Sequence, residues 1–112
     1  AGPAVALAPK GAVTTAMLLH ELGSNAVKYG ALSSEAGHVE VEWSLVGEEA
    51  DAVLTLTWIE RGGPPATAPG QRSFGAKLIA MGLGGGGAVR EDYAEAGYSA
   101  SFEAPVIHLQ ME

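Results

Sequence analysis

From His38 to Val46 apolar and polar residues alternate without a break, with Val39, Val41, Trp43 and Leu45 on one side and His38, Glu40, Glu42 and Ser44 on the other. A period of two puts successive side chains on opposite faces of an extended strand, and no helix produces it. Gly47-Glu48-Glu49-Ala50-Asp51 reads as a turn, and a second run follows in which Leu54, Leu56 and Trp58 oppose Val53, Thr55, Thr57 and Ile59. The two runs predict a hairpin with one buried face and one more polar face. A sheet of that kind needs a second layer against its apolar side.

Helices supply that layer. Between Ala12 and Tyr29, Met17, Leu18, Leu22 and Ala26 recur at three- and four-residue steps, and Gly30 stands where helices commonly end in a left-handed residue. Upstream, Val5-Ala6-Leu7-Ala8-Pro9 is compatible with a brief strand closed by proline. Arg61-Gly62-Gly63-Pro64-Pro65 stops the second strand, and a loop runs to about Ser73. Phe74 to Leu83 reads as a short helix with Leu78, Ile79 and Leu83 toward the core, and Gly84 to Gly87 as a link or tight turn. Val89 to Tyr93 and Tyr98 to Ala104 form a last hairpin around Glu95-Ala96-Gly97. This order predicts an α+β fold, a two-layer α/β sandwich with a mixed, mostly antiparallel sheet and helices on one face.

Residues 1–112 are one domain's worth of chain, and 47% hydrophobic residues suffice for one two-layer core. The absence of cysteine excludes disulfides and thiolate metal sites. With a net charge of −7 and six scattered basic residues there is no basic stripe, so nucleic acid is not an expected partner. No apolar run reaches the ~20 residues of a membrane span, so membrane contact by this domain is not expected. The start at Ala1-Gly2-Pro3, without Met or a basic leader, suggests a piece of a longer protein.

Chemistry concentrates on the first helix. Glu21, Asn25 and Lys28 follow i, i+4, i+7 spacing and fall within about 60° of one another, with Tyr29 beside Asn25. A carboxylate, an amide, an ammonium and a phenol on one edge suit a nucleotide phosphate with a divalent metal. An amide oxygen is a hard ligand for Mg²⁺, a lysine places charge on a phosphate, and a glutamate orients or deprotonates an attacking group. A solvated polar edge with a Glu–Lys pair is the plain alternative. His20-Glu21 is not a zinc-protease motif, because position 24 is Ser. Nor is it well read as a phosphoaccepting histidine, since that accounts for none of Asn25, Lys28 or Tyr29.

A second element is Trp58-Ile59-Glu60-Arg61-Gly62-Gly63-Pro64. A carboxylate at a strand end can accept a hydrogen bond from an exocyclic amine, and adjacent glycines let a flat ring approach the backbone. Alone, it is more simply read as an acid before a Gly-Gly-Pro turn.

Together these elements resemble the GHKL ATPase superfamily, which has the Bergerat fold and includes histidine kinases, type II topoisomerases, chaperones and mismatch-repair ATPases. More narrowly they look like HWE-type sensor histidine kinases, marked by a histidine in the N box and Trp-x-Glu in the first glycine box; here these are His20, Trp58 and Glu60. His20 to Leu32 is similar to the N box, and Ser73-Phe74-Gly75-Ala76-Lys77-Leu78-Ile79 resembles the second glycine box. The resemblance covers nearly the whole chain in the family order. Many relatives carry threonine after glycine near the last strand, where this chain has Gly97-Tyr98.

The resemblance implies an ATP-binding catalytic domain, residues 1–112, of a longer kinase. Asn25 would coordinate Mg²⁺ and Glu21 would be the catalytic carboxylate. Lys28 and Tyr29 would flank the phosphates and nucleotide. Glu60 would read the adenine amine, Gly62 and Gly63 would line the adenine pocket, and Phe74 and Gly75 would border the phosphates. ATP and Mg are the implied cofactors. The implied partners are a phosphoacceptor histidine domain, in cis or in a dimer partner, and a response regulator acting through it. ATP use implies a cytoplasmic location. An anti-sigma-factor-type serine kinase and a non-catalytic docking module are the alternatives on the same fold.

Overall fold

A computed structural model describes residues 1–48, 51–66, 74–84 and 87–110, with the backbone alone at 74–76. The elements are α1 (Pro9–Lys28), a 3-10 turn (Ala31–Ser33), β1 (His38–Val46), β2 (Val53–Arg61), α2 (Phe74–Met81), β3 (Val89–Ala94), β4 (Gly97–Pro105) and α3 (Val106–Leu109). The four strands form one sheet in the order β1-β2-β4-β3, and each of these pairings is antiparallel. The alternation in the sequence fixes the buried face. Leu54, Leu56 and Trp58 of β2, with Ala100, Phe102 and Ala104 of β4, form one core with Leu18, Leu22 and Ala26 of α1 and Ile79 and Leu83 beyond them. All the helices therefore contribute to the same side, giving the two-layer α+β arrangement expected from the sequence.

Cross-strand registry stacks the inner face in rows. Val41, Trp58, Ala100 and Glu91 form one row, and Trp43, Leu56, Phe102 and Val89 the next. Leu45 belongs to the inner set but is 40% exposed, because it closes the last row on an edge strand.

Three local expectations change. Residues 1–8 form no strand, and Pro9 opens α1 three residues before Ala12. Proline's fixed φ suits the first helical position, where its missing N–H costs nothing. The helix start is anchored instead by α3, which no periodicity announced because it has only four residues. Ala8 N–H donates to the Leu109 carbonyl at 3.0 Å. Met17 is exposed, since the buried stripe runs Gly11, Leu18, Leu22, Ala26 and position 17 lies about 100° off it. Finally, Gly30 is not left-handed: Tyr29 caps the helix at φ −129°, and Gly30 follows at φ −111°. Its lack of a side chain serves another purpose, given below. The expected turn at Glu49-Ala50, residues 67–73 of the expected loop and Gly85-Gly86 fall outside the described residues.

Candidate functional site

β2 ends with Glu60 on the inner face, one step beyond Trp58. Its side chain is the one charged group buried among the described residues, at 4% exposure. A carboxylate in that position must be hydrogen-bonded or it destabilises the fold. The backbone N–H of Ala31 donates to Oε1 at 3.0 Å, and the indole N–H of Trp58 donates to Oε2 at 2.9 Å. Glu60 thus ties the end of β2 to the turn that leaves α1. Each carboxylate oxygen offers about two acceptor directions, so each keeps one after these bonds.

Two glycines make room for it. A Cβ on Gly30 would overlap Glu60 Oε1, which explains glycine there without a left-handed backbone. A Cβ on Gly97, at φ 133°, would overlap the Glu60 carbonyl. Gly62 lies at φ 78° beside the Ala36 carbonyl, and Gly63 lies directly on the Ala31 backbone. The expected pocket glycines are thus packed on the α1–β1 connection, around the same end of β2 as Glu60. The chain then passes the sheet end, where Ala66 N–H donates to the Ala94 carbonyl at 2.9 Å.

On α1, Glu21 and Asn25 are half-buried while Lys28 and Tyr29 are exposed, Tyr29 at 74% as the C-cap. None of these four side chains hydrogen-bonds or ion-pairs with a described residue. The Glu–Lys pair of a self-contained polar edge is therefore missing, and no described residue takes up these donors and acceptors. His20 is exposed on the same helix. No group of three acidic or histidine side chains able to cage a metal occurs among the described residues. Phe74 and Gly75 begin α2, and their side-chain surroundings lie outside what is described.

The sequence reading left one cluster unassigned. Tyr98 shares the inner face with Ala100 and stands next to Glu60 one position past the β2–β4 pairing, with Tyr93 opposite it on β3. The phenols of Tyr98 and Tyr93 donate to Glu91 Oε2 at 2.8 and 3.0 Å, and the two rings lie 5.1 Å apart at 53°. Burial, then the Glu91 acceptor, pushes the Tyr98 phenol well above the ordinary tyrosine range. The period-two pattern of the last hairpin could have placed all three on one face; their hydrogen bonds could not have been read from it.

At the end of β2 a buried carboxylate is thus bonded to the turn that follows α1, a helix whose Glu21, Asn25 and Lys28 side chains have no partner among the described residues. By sequence the chain is a homologue of blue-light-activated histidine kinases, and by fold it resembles a histidine kinase domain, in line with the HWE-type resemblance. It is 39% identical over 109 residues to the blue-light-activated histidine kinase 1 of Erythrobacter litoralis, covering 94% of this chain and 29% of that protein. It is 37% identical over 78 residues to the blue-light-activated histidine kinase of Brucella anthropi, covering 70% of this chain and 16% of that one. The chain thus spans less than a third of the relatives it matches. In structure it resembles the histidine kinase domain of the Erythrobacter litoralis EL346 blue-light activated histidine kinase, with TM-score 0.71, 16% identity, and coverage of 96% of this chain and 50% of that one. That likeness is one of fold. No protein-family model matches the chain.

Proposed function

We propose that the chain is the ATP-binding catalytic domain of a sensor histidine kinase, which binds Mg-ATP and passes the γ-phosphoryl group to a histidine on a separate helical dimerisation domain. The observation that carries this is the Glu21–Asn25–Lys28 edge, without partners among the described residues, on a helix whose following turn is bonded at Ala31 to the buried Glu60 carboxylate. Phosphoryl transfer asks the protein chiefly to position groups and stabilise charge. Lys28 supplies a cation for phosphate oxygens, and Asn25 an amide oxygen for Mg²⁺, which when bound neutralises phosphate charge. Glu21 holds or accepts the proton of the incoming imidazole. Glu60 accepts the adenine amine on its remaining lone pairs, while Gly62 and Gly63 border the base and the start of α2 at Phe74 and Gly75 borders the phosphates. Tyr29 flanks the nucleotide from the helix end.

The acceptor histidine, the response regulator reached through it and a cytoplasmic setting are parts of the same proposal. No helix among the described residues is long and apolar enough to cross a membrane. Calorimetric titration with Mg-ATP tests the reading. Wild type should bind, and Glu60→Ala should bind weakly or not at all while staying folded by circular dichroism. A wild-type chain that binds no nucleotide would leave a docking module as the better description. Phosphate appearing on an added histidine-bearing helical domain, rather than on serine of an added protein, separates the histidine kinase from a serine kinase.

A further inference from the structure

We propose that Trp58 is a positioning residue for base recognition: its indole N–H fixes the plane of the Glu60 carboxylate, and so sets the direction in which Glu60 accepts a purine amine. This rests on the nucleotide reading of the site given above. Trp58 and Glu60 are i, i+2 on β2 and share its inner face. Both are buried, and the 2.9 Å bond between them can run only one way, because indole nitrogen is a donor and a carboxylate an acceptor.

Glutamate is a long side chain with several rotamers, and one hydrogen bond leaves the carboxylate free to swivel about it. Here two donors from different elements hold the two oxygens separately: the Ala31 amide on Oε1 and Trp58 on Oε2. Gly30 lies directly against Oε1 of the same residue, and Gly97 against its main-chain carbonyl. The unused lone pairs therefore have a fixed direction. Of the two donors Trp58 is the one carried on a side chain. Its ring also packs in the core, so a purely structural role is the competing account, and the two differ in what they do to selectivity.

The experiment compares the affinities of Mg-ATP and of the Mg complex of purine riboside triphosphate, which has hydrogen in place of the exocyclic amine. Wild type should favour ATP by roughly tenfold or more, the scale of a hydrogen bond to a charged group. Trp58→Phe should bring that preference to within about threefold, leaving affinity for the amine-free nucleotide near wild type. Both constants come from one preparation, so any unfolded fraction cancels in the ratio. Trp43→Phe is the control: its indole donates to the Pro3 carbonyl at 2.6 Å, away from Glu60, and its ratio should stay at wild type. A sulfur isostere of tryptophan incorporated at position 58 in the Trp43→Phe background removes the donor while keeping the bicyclic ring, and should behave as Trp58→Phe does. If wild type and Glu60→Ala differ in preference but both position-58 variants keep the wild-type ratio, Trp58 is only a core residue and the inference fails. If wild type binds neither nucleotide, or both equally, the reading of Glu60 falls and the inference with it.

Discussion

The inner face of the sheet has two ends built from the same strands, and they are closed in opposite ways. At one end Leu54, Leu56, Phe102 and Ala104 meet Leu18, Leu22 and Leu109, all apolar and nearly all fully buried. At the other, Trp58, Glu60, Tyr98, Tyr93 and Glu91 replace aliphatic packing with hydrogen bonds that run between strands and up to the end of α1. Apolar burial is non-directional and tolerates no gap, so the first end holds the layers together. Hydrogen-bonded carboxylates have direction, so the second end can hold groups at set angles, at the cost of desolvating a charge. The difference suggests that stability and ligand binding are separable by position along the strands.

The most severe way to break that division is at the apolar end. Phe102 is completely buried, and Phe102→Ala should cost about 3–5 kcal/mol, a large part of the about 5–15 kcal/mol typical of a domain. Urea unfolding should show the midpoint falling sharply, with whatever remains folded keeping wild-type nucleotide affinity. A selective loss of binding at constant midpoint would mean the two ends are not separable.

The reverse case is Asn25→Asp on the free edge of α1. Asn25 has no described partner to lose, so the melting temperature should stay within about 2 °C, the range of an ordinary surface change. Mg-ATP affinity should drop roughly 10- to 100-fold, because a carboxylate beside the phosphates replaces a neutral ligand. Unchanged affinity by calorimetry would remove Asn25 from the site.

Tyr98 lies between the two behaviours, and pH exposes it. Its folded-state proton is held above the ordinary value of 10.0, chiefly by burial and then by Glu91. Above that pH the unfolded chain releases the proton while the folded chain keeps it. Stability conferred by Tyr98 is thus complete below about pH 10 and declines as pH rises, by up to about 1.4 kcal/mol per unit for one proton. Tyr98→Phe should cost about 1 kcal/mol at neutral pH and flatten the alkaline limb of stability measured by denaturant titration. An alkaline limb identical to wild type would show that Tyr98 titrates normally.

How far each end was legible follows from the same contrast. The apolar end was readable because period-two and helical spacing report burial directly: Leu18, Leu22, Leu54 and Leu56 are all in the core. The positions of Glu21, Asn25, Lys28 and Glu60 were legible as motif residues, but what each touches was not. Nothing in the spacing says that Glu60 is bonded to Trp58 two residues back and to Ala31 across the fold. Gly30 shows the limit well. Its place after a helix pointed to a left-handed stop, while its true constraint is a carboxylate from another strand. Tyr98 was visible only as a departure from a family pattern, because its partners are Glu91 and Tyr93 on a neighbouring strand.

The outer face of the same strands gives the smallest expected effect and the sharpest control. Glu40 and Arg61 form an ion pair at 2.8 Å on that face, with side chains 45% and 54% exposed. The Arg61 hydrogen bond holds the Glu40 carboxyl below the ordinary carboxylate range. A depressed folded pKa gives stability that is present above the unfolded value and lost as pH falls through the folded one. Here solvent and salt screen both groups, so that contribution should be too small to detect. Glu40→Gln should leave the melting temperature and its acid dependence at wild type, even though Arg61 is the residue directly after Glu60. Glu60 shares its backbone neighbourhood with Arg61 but not its solvent, and a clear acid-side loss of stability in Glu40→Gln would show that charge on the outer face is felt through the sheet at the polar end.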